Sequence, residues 1–396
     1  MKAATSTVTI DESRAMKLIM DLLPVDGLSG HEDAIAALIT KKLRAAGVPA
    51  SAIRTDSAHK RSPLGGVHGN LICTLPGTID GPRRLLMSHL DTVPLCAGTK
   101  PVRSGGVIKS ANPASGLGGD NRSGCAVTLN AVLEILRRKL PHPPLTILWA
   151  VQEEVGLYGA RNLDLPLLKG PKLCFNWDGG AANKVIIGAT GAYRMQITIH
   201  GIASHAGVHP ELGVSAIAIA AVAIADLHKN GWHGLIQKGG KRGTSNVGII
   251  NGGNATNVVT AQVDIRAEAR SHDGVFRKKI ADAIAAAFER AAKSVKSAAG
   301  RRGSVKIHSE LHYDSFKLSE TDPCVREAAR AITAAGLKPE TCIANGGLDA
   351  NWLSARGLPT VTLGAGQQDV HTVDEKLVIK SYLEGCRIAL ALATGA

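Results

Sequence analysis

Four apolar runs punctuate the first half of the chain: "GNLICTLPG", "RRLLMSHLD", the β-branched "LTILWAVQ" and "KLCFNWD". Short apolar runs without polar alternation predict strands buried on both faces. Around them the period changes. "SGHEDAIAALITKKLRAAG" puts Ile35, Leu38, Ile39 and Leu43 on one helical face, opens with Ser29 and Glu32 at capping-box spacing and stops at Gly47. A second helix is predicted from Asn121 to Arg138, with Leu129, Val132, Leu133 and Leu136 on one side. Strands alternating with helices in this way predict an α/β sheet covered on both faces.

After "GATGAYRM" the pattern is different. From Tyr193 to His200 apolar and polar residues alternate, as in a strand with one face open to water. An alanine-rich helix follows from Glu211 to Leu227, then strands in "TSNVGII" and "NVVTAQVDIRAEAR", a basic helix, and a strand in "SVKIHSELHY". The order β-α-β-β-α-β is that of a ferredoxin-like unit. Beyond Leu318 the α/β style returns, with a helix in "TDPCVREAARAITAAG" and a buried strand in "LPTVTLGAG". The expected organisation is an α/β domain in two parts, 1–190 and 316–396, interrupted by the ferredoxin-like insertion at 191–315.

Composition narrows the classes. Apolar residues make up 44% of the 396, yet no apolar run approaches the ~20 residues that a membrane-spanning helix needs, so no membrane partner is expected. The amino-terminal stretch "MKAATSTVTIDESRAMKLIMDLL" carries acids early and has no continuous apolar core before a small-residue cleavage site, which predicts a cytoplasmic protein. Seven scattered cysteines, odd in number and without a C-x-x-C pair, predict buried free thiols. The net charge is +13, but the basic residues are dispersed and aromatics are 3%, so no nucleic-acid partner is expected.

Candidate chemistry collects where the strands end. "LTILWAVQEEVGLYGA" delivers Glu153 and Glu154 into a glycine-containing turn. Neighbouring side chains there point in different directions, so one carboxylate can hold something while the other moves a proton. "LLMSHLDTVP" ends at His89 with Asp91 two residues on; "KLCFNWDGG" ends at Asp178; "LPTVTLGAGQQDVHT" leads to His371; Asp120 of "GLGGDNRSG" opens a helix. Taken singly, Asp120 reads as a helix cap, the histidines as loop residues and Asp178 as a turn former. Together they sit where open α/β sheets gather functional groups, and imidazoles with carboxylates but no thiolate suit Zn²⁺, Mn²⁺ or Co²⁺ in a hydrolytic site.

The segments "SHLDTVP", "GGDNRSG", "QEEVGLYGA", "WDGG", "GIASHAGVHPELG", "NGGNATNVV" and "DVHTVDE" resemble the M20 family of dinuclear zinc peptidases. "GGLDANWL", "AEARSHD" and "VHTVDEKL" resemble its peptidase T (tripeptide aminopeptidase)-like branch. The resemblance implies a zinc-exopeptidase-like α/β catalytic domain, an inserted lid and dimerisation domain, a homodimer, and two divalent metal ions per subunit, zinc foremost with Co or Mn as alternatives. It implies that Asp120 bridges both ions, that His89 and Asp178 complete one and Glu154 and His371 the other, and that Glu153 is the general base. Asp91 matches an acid that orients the histidine before it. A cis peptide is implied between Asp120 and Asn121.

In the insertion, His205 matches a histidine that stabilises the oxyanion in the partner subunit's site. Asn257 and Arg270 match residues that contact substrate near the scissile bond and at its terminal carboxylate, a task suited to a planar guanidinium. Arg266, at even spacing, lies on the same face of the strand as Arg270. The apolar "VSAIAIAAVAIADL" helix offers little polar face and fits a dimer contact. The expected function is a metal-dependent exopeptidase hydrolysing di- and tripeptides through a metal-bridging water activated by Glu153. An N-acyl amino acid deacylase with the same metals and a catalytically silent binding or assembly protein are the alternatives, and the direction of cleavage stays open.

Overall fold

The computed structural model describes residues 8–395; residues 1–7, part of the stretch in which no leader is expected, lie outside it. The chain divides into two compact units, Met1–Gly188 with Lys317–Ala344 and Leu348–Ala396, and Ala189–Phe316 with Asn345–Gly347.

In the first unit the strands Leu145–Ala150, Arg84–His89, Leu173–Gly179 and Thr360–Gly364 lie side by side and parallel. Leu71–Leu75 runs antiparallel outside Leu145–Ala150, with Ile53–Thr55 beyond it, and Lys184–Ala189 borders Thr360–Gly364 antiparallel. Every residue of Arg84–His89 and of Leu145–Ala150 is buried, because both faces are covered. On one face Trp149 Nε1 donates to Thr128 Oγ1 at 3.0 Å in the Gly119–Arg138 helix, which packs against Glu12–Leu22 and Ile379–Thr394. On the other, Leu85, Met87 and Leu148 pack with Ala160, Leu163, Leu168 and Leu353. Each such side chain taken from water contributes about 1.5–3 kcal/mol, and this two-sided burial is what the apolar runs encode.

The chain passes from Arg84–His89 through the Gly119–Arg138 helix to Leu145–Ala150 on one side, then returns to Leu173–Gly179 on the other. The strand order therefore reverses about Arg84–His89, and the carboxyl ends of the parallel strands open at that crevice. A small four-stranded sheet of Gln367–Gln368, Lys376–Val378, Val107–Ser110 and Pro101–Ser104, not anticipated in the sequence, borders the loops that carry His371 and Asp120.

The second unit is a five-stranded antiparallel sheet in the order Gly234–Lys238, Lys241–Gly252, Gln262–Ser271, Gly191–His200, Ser304–Tyr313. Helices Ala216–Lys229 and Gly274–Ser294 supply Ile219, Ala223, Ile280, Ile284 and Phe288 to a core shared with Ile197, Ile199 and Ile265 of the sheet. The expected β-α-β-β-α-β order holds with one strand added: Gly234–Lys238 turns back through Gly239 and Gly240, both at positive φ (58° and 73°), to pair with Lys241–Ser245. The alanine-rich helix begins later than its composition predicts. Pro210–Leu212 form a separate 3₁₀ turn, and Ser215 caps the helix by accepting from Ala218 N at 3.2 Å. No helix among the described residues is long and apolar enough to cross a membrane.

Candidate metal centre

At the crevice the structure brings together His89, Asp91, Asp120, Glu153, Glu154, Asp178 and His371. His89 is only 2% exposed and is engaged at both ring nitrogens. Its Nδ1 lies 3.1 Å from the Asp91 carbonyl oxygen and 3.3 Å from Asp91 Oδ1, while Nε2 lies 3.2 Å from Asp120 Oδ1 and 3.6 Å from Asp178 Oδ1. His371 Nε2 lies 3.3 Å from Asp120 Oδ2 and 3.0 Å from Glu154 Oε1. Asp120 thus turns one oxygen to each histidine. Donor atoms of His89, Asp120 and Glu154, and again of His89, Glu153 and Asp178, fall within 4.8 Å of one another. The donor set fits divalent ions: it holds imidazoles and carboxylates without thiolate, and the buried Asp120 turns both oxygens to imidazole nitrogens, Oδ1 to His89 and Oδ2 to His371.

The backbone around Asp120 explains its reach. Gly118 is left-handed (φ 75°), Asp120 and Asn121 depart from helical angles, and the peptide between them is cis, as the family resemblance implies. Asn121 Nδ2 donates to the Trp177 carbonyl at 2.8 Å, and Gly124 N donates to Asn121 Oδ1 at 2.9 Å. A Cβ on Gly124 would lie 2.2 Å from both acceptor oxygens, so only glycine fits. Glu375, which sequence reasoning missed, fixes the same loop: its Oε2 accepts Gly118 N at 2.7 Å and its Oε1 accepts Asp120 N at 2.9 Å. Its only sequence signal is the acid four residues after His371 in "HTVDE". His371 itself sits on left-handed backbone (φ 63°), a conformation that non-glycine residues keep only where surrounding contacts demand it.

The capping box expected from Ser29 and Glu32 does not form. The helix runs Asp33–Ala45 with no side-chain bond at its cap. Ser29 Oγ instead donates to Asp91 Oδ2 at 2.6 Å, and Glu32 Oε1 accepts Gly30 N at 2.7 Å and Gln152 N at 3.1 Å. Buried amides beyond the end of Leu145–Ala150 need acceptors; Glu32 supplies one directly, and Ser29 supports another, Asp91, rather than the helix start.

Burial pushes the Glu153 carboxyl well above its usual range and Glu154 up to about 7. Burial and the neighbouring Asp120 push Asp178 up to about 6. Asp120 moves the other way: burial alone would raise it, but the hydrogen bonds of His371 and His89 hold it low. Those bonds to Asp120 and Glu154 lift His371 to about 10. Asp349, also missed, is buried with neither carboxylate oxygen hydrogen-bonded; burial pushes it up to about 8, and its charge raises Glu153 further.

The remaining sequence candidates lie in the second unit. His205 is exposed, and its Nδ1 accepts from Gly207 N and Val208 N at 3.2 Å each. That leaves the proton of a neutral ring on Nε2. The exposed Asn257 accepts Ala206 N at 2.8 Å through its carbonyl, tying its loop to the His205 segment. Arg270 makes a forked pair with Glu268, Nε to Oε1 and Nη2 to Oε2 both at 2.9 Å, while Arg266 on the same face is exposed.

A parallel-centred α/β sheet with an imidazole–carboxylate cluster at its switch point defines a metal-dependent hydrolase. Comparison with known proteins agrees: residues 187–296 match the peptidase dimerisation domain of M20 enzymes and residues 70–204 match peptidase family M28. The chain is 32% identical to the uncharacterized protein YqjE of Bacillus subtilis over 97% of its own length and 98% of that protein. It is similar to the crystal structure of aminopeptidase PepT from Bacillus cereus (33% identity, TM-score 0.81, covering 97% and 98% of the two chains). A tripeptidase from Staphylococcus aureus is similar too (30% identity, TM-score 0.84, covering 97% and 99%). The chain belongs to the M20 peptidase family, on its peptidase T-like branch, and is a metallopeptidase of that type.

The raised groups predict how metal enters. Without metal, His371 holds a proton up to about pH 10 and Glu154 up to about pH 7, so an ion binding near neutrality displaces protons. Affinity rises with pH, by up to about tenfold per unit for each proton displaced. Calorimetric titration of the metal-free chain with Zn²⁺ in two buffers of different ionisation enthalpy is expected to reveal proton release at pH 7. Buffer-independent heats, with affinity unchanged between pH 6 and pH 8, would contradict this electrostatic picture.

Proposed function

We propose that the chain is a dinuclear zinc exopeptidase that acts from the amino end of small peptides, tripeptides foremost, as a cytoplasmic homodimer. The observation that carries this reading is Asp120, whose two oxygens face His89 at 3.2 Å and His371 at 3.3 Å as a carboxylate bridging two ions would. His89 and Asp178 would hold one ion with Asp120, and Glu154 and His371 the other. Likeness to an aminopeptidase and a tripeptidase supports the substrate class and the direction of cleavage.

When bound, the two ions supply Lewis acidity toward the scissile carbonyl and lower the pKa of water at the site. Glu153, in its ionised form and made a stronger base by burial, takes the proton of the attacking water and returns it to the leaving amine. Asp91 holds the His89 ring so that Nε2 faces the cluster. His205 of the partner subunit, with its proton on Nε2, donates to the developing oxyanion. Asn257 contacts the substrate near the scissile bond, and Arg270 exchanges Glu268 for the substrate's terminal carboxylate. The homodimer is supported by the dimerisation-domain match and by Ile217, Val222, Ile249 and Ile250, all about half exposed in the second unit.

Mass-spectrometric analysis of di-, tri- and tetrapeptides incubated with the zinc-loaded chain is expected to give release of the first residue, fastest from tripeptides, with N-acetylated peptides spared. Release from the carboxyl end, or turnover of N-acyl amino acids alone, would replace this reading.

The glutamate pair separates the proposed roles. Glu153→Gln is expected to lower kcat by ~10³-fold or more with both metals retained, whereas Glu154→Gln loses metal at one position by elemental analysis. Mixing Glu153→Gln with His205→Ala subunits should restore activity, because one site of the heterodimer keeps both groups. Metal loss from Glu153→Gln but not Glu154→Gln would exchange the two roles, and heterodimers no more active than the single variants would place His205 outside the partner's site.

A further inference from the structure

Three consecutive amides, of Gln152, Glu153 and Glu154, each donate to a buried carboxylate of the chain itself. Glu32 Oε1 accepts Gln152 N at 3.1 Å, Asp91 Oδ1 accepts Glu153 N at 3.0 Å, and Asp91 Oδ2 accepts Glu154 N at 3.1 Å. Glu32 and Asp91 are both 0% exposed. Successive N–H groups that converge around a left-handed residue make a concave nest for an anion, and Gln152 is that residue here (φ 54°). The nest is already filled by protein carboxylates, and the side chains of Glu153 and Glu154 face the imidazole–carboxylate cluster.

Both filling carboxylates are tied to one segment far away in sequence. Ser29 Oγ donates to Asp91 Oδ2 at 2.6 Å, a short charge-assisted bond, and Gly30 N donates to Glu32 Oε1 at 2.7 Å. The Gln152 side chain is held as well, accepting from Ser62 Oγ and donating to the Gly65 carbonyl at 2.6 Å each. The turn therefore has little freedom to rotate Glu153 out of line.

We infer that Ser29 and Glu32 are positioning residues for hydrolysis: through Asp91 and directly, they lock the Gln152–Glu154 turn in the backbone geometry that aims Glu153 into the cluster while Glu154 faces His371. Neither residue touches the reacting atoms. The inference rests on Glu153 being the general base. Displacing a catalytic group by about 1 Å costs ~10²-fold in rate, so losing part of the lock lowers kcat while substrate affinity changes little.

The test uses the full, zinc-saturated chain and a tripeptide, with Ser29→Ala, Ser29→Thr, Glu32→Leu, Glu32→Gln and Glu153→Gln. Ser29→Ala and Glu32→Leu are expected to lower kcat about ten- to a hundredfold, with KM within about twofold and metal content unchanged. Ser29→Thr keeps the hydroxyl and Glu32→Gln keeps an oxygen for both amides, so each restores kcat to within about fivefold of the original chain. A packing role alone would lower the melting temperature without this kcat–KM split or rescue. If Glu32→Leu does not fold, Ser29→Ala decides. Ser29→Ala with kcat within twofold of the original, while Glu153→Gln is inactive, overturns this inference alone; Glu153→Gln that still turns over overturns the general-base reading beneath it.

Discussion

A carboxylate that stays charged when sealed from water must be answered by donors, and at Asp91 these are the His89 ring, the Ser29 hydroxyl and the amides of Glu153 and Glu154. Burial alone would raise its pKa; these partners hold it below the usual range, so it stays charged. One anion thereby fixes the ring of a candidate ligand and the turn that carries the candidate base Glu153 and the candidate ligand Glu154. This is possible because the strands Arg84–His89 and Leu145–Ala150 are parallel neighbours with His89 in register with Ala150. The residues just beyond each strand then meet at one place, and the geometry of the cluster follows from the pairing of the sheet.

The cluster is strongly acidic inside a chain whose net charge is +13. Asp91, Asp120, Glu153, Asp349 and Glu375 are all buried, and without metal the cations that face the ligand carboxylates among the described residues are His89 and His371. Such a concentration of like charge is costly in a low-dielectric setting unless cations compensate it, and divalent metal is the natural compensation. Overall charge therefore says little about what the crevice attracts; local burial decides it.

Much of this was legible in the sequence. Two-sided burial makes the parallel strands read as unbroken apolar runs, and their carboxyl ends located His89, Glu153, Glu154 and Asp178 without any contact information. One-sided burial likewise exposed the second sheet through its alternation. What stayed hidden depends on tertiary partners. Ser29 and Glu32 carry a helix-start spacing, yet Glu32 accepts an amide of a turn more than a hundred residues on and Ser29 donates to Asp91, which accepts two more. Glu375 and Asp349 look like ordinary acids until burial is known. The strand Gly234–Lys238 is short, with Leu235 exposed and Ile236 buried, and only its glycine turn hinted at a hairpin.

Anomalous diffraction at the zinc edge from crystals of the loaded chain tests the central claim most directly. Two peaks are expected, one on either side of the Asp120 carboxylate: the first bound by His89 and Asp178, the second by Glu154 and His371, with Glu153 outside bonding distance of both. A single peak, or Glu153 in the coordination sphere of either ion, would contradict the division of work between the two glutamates.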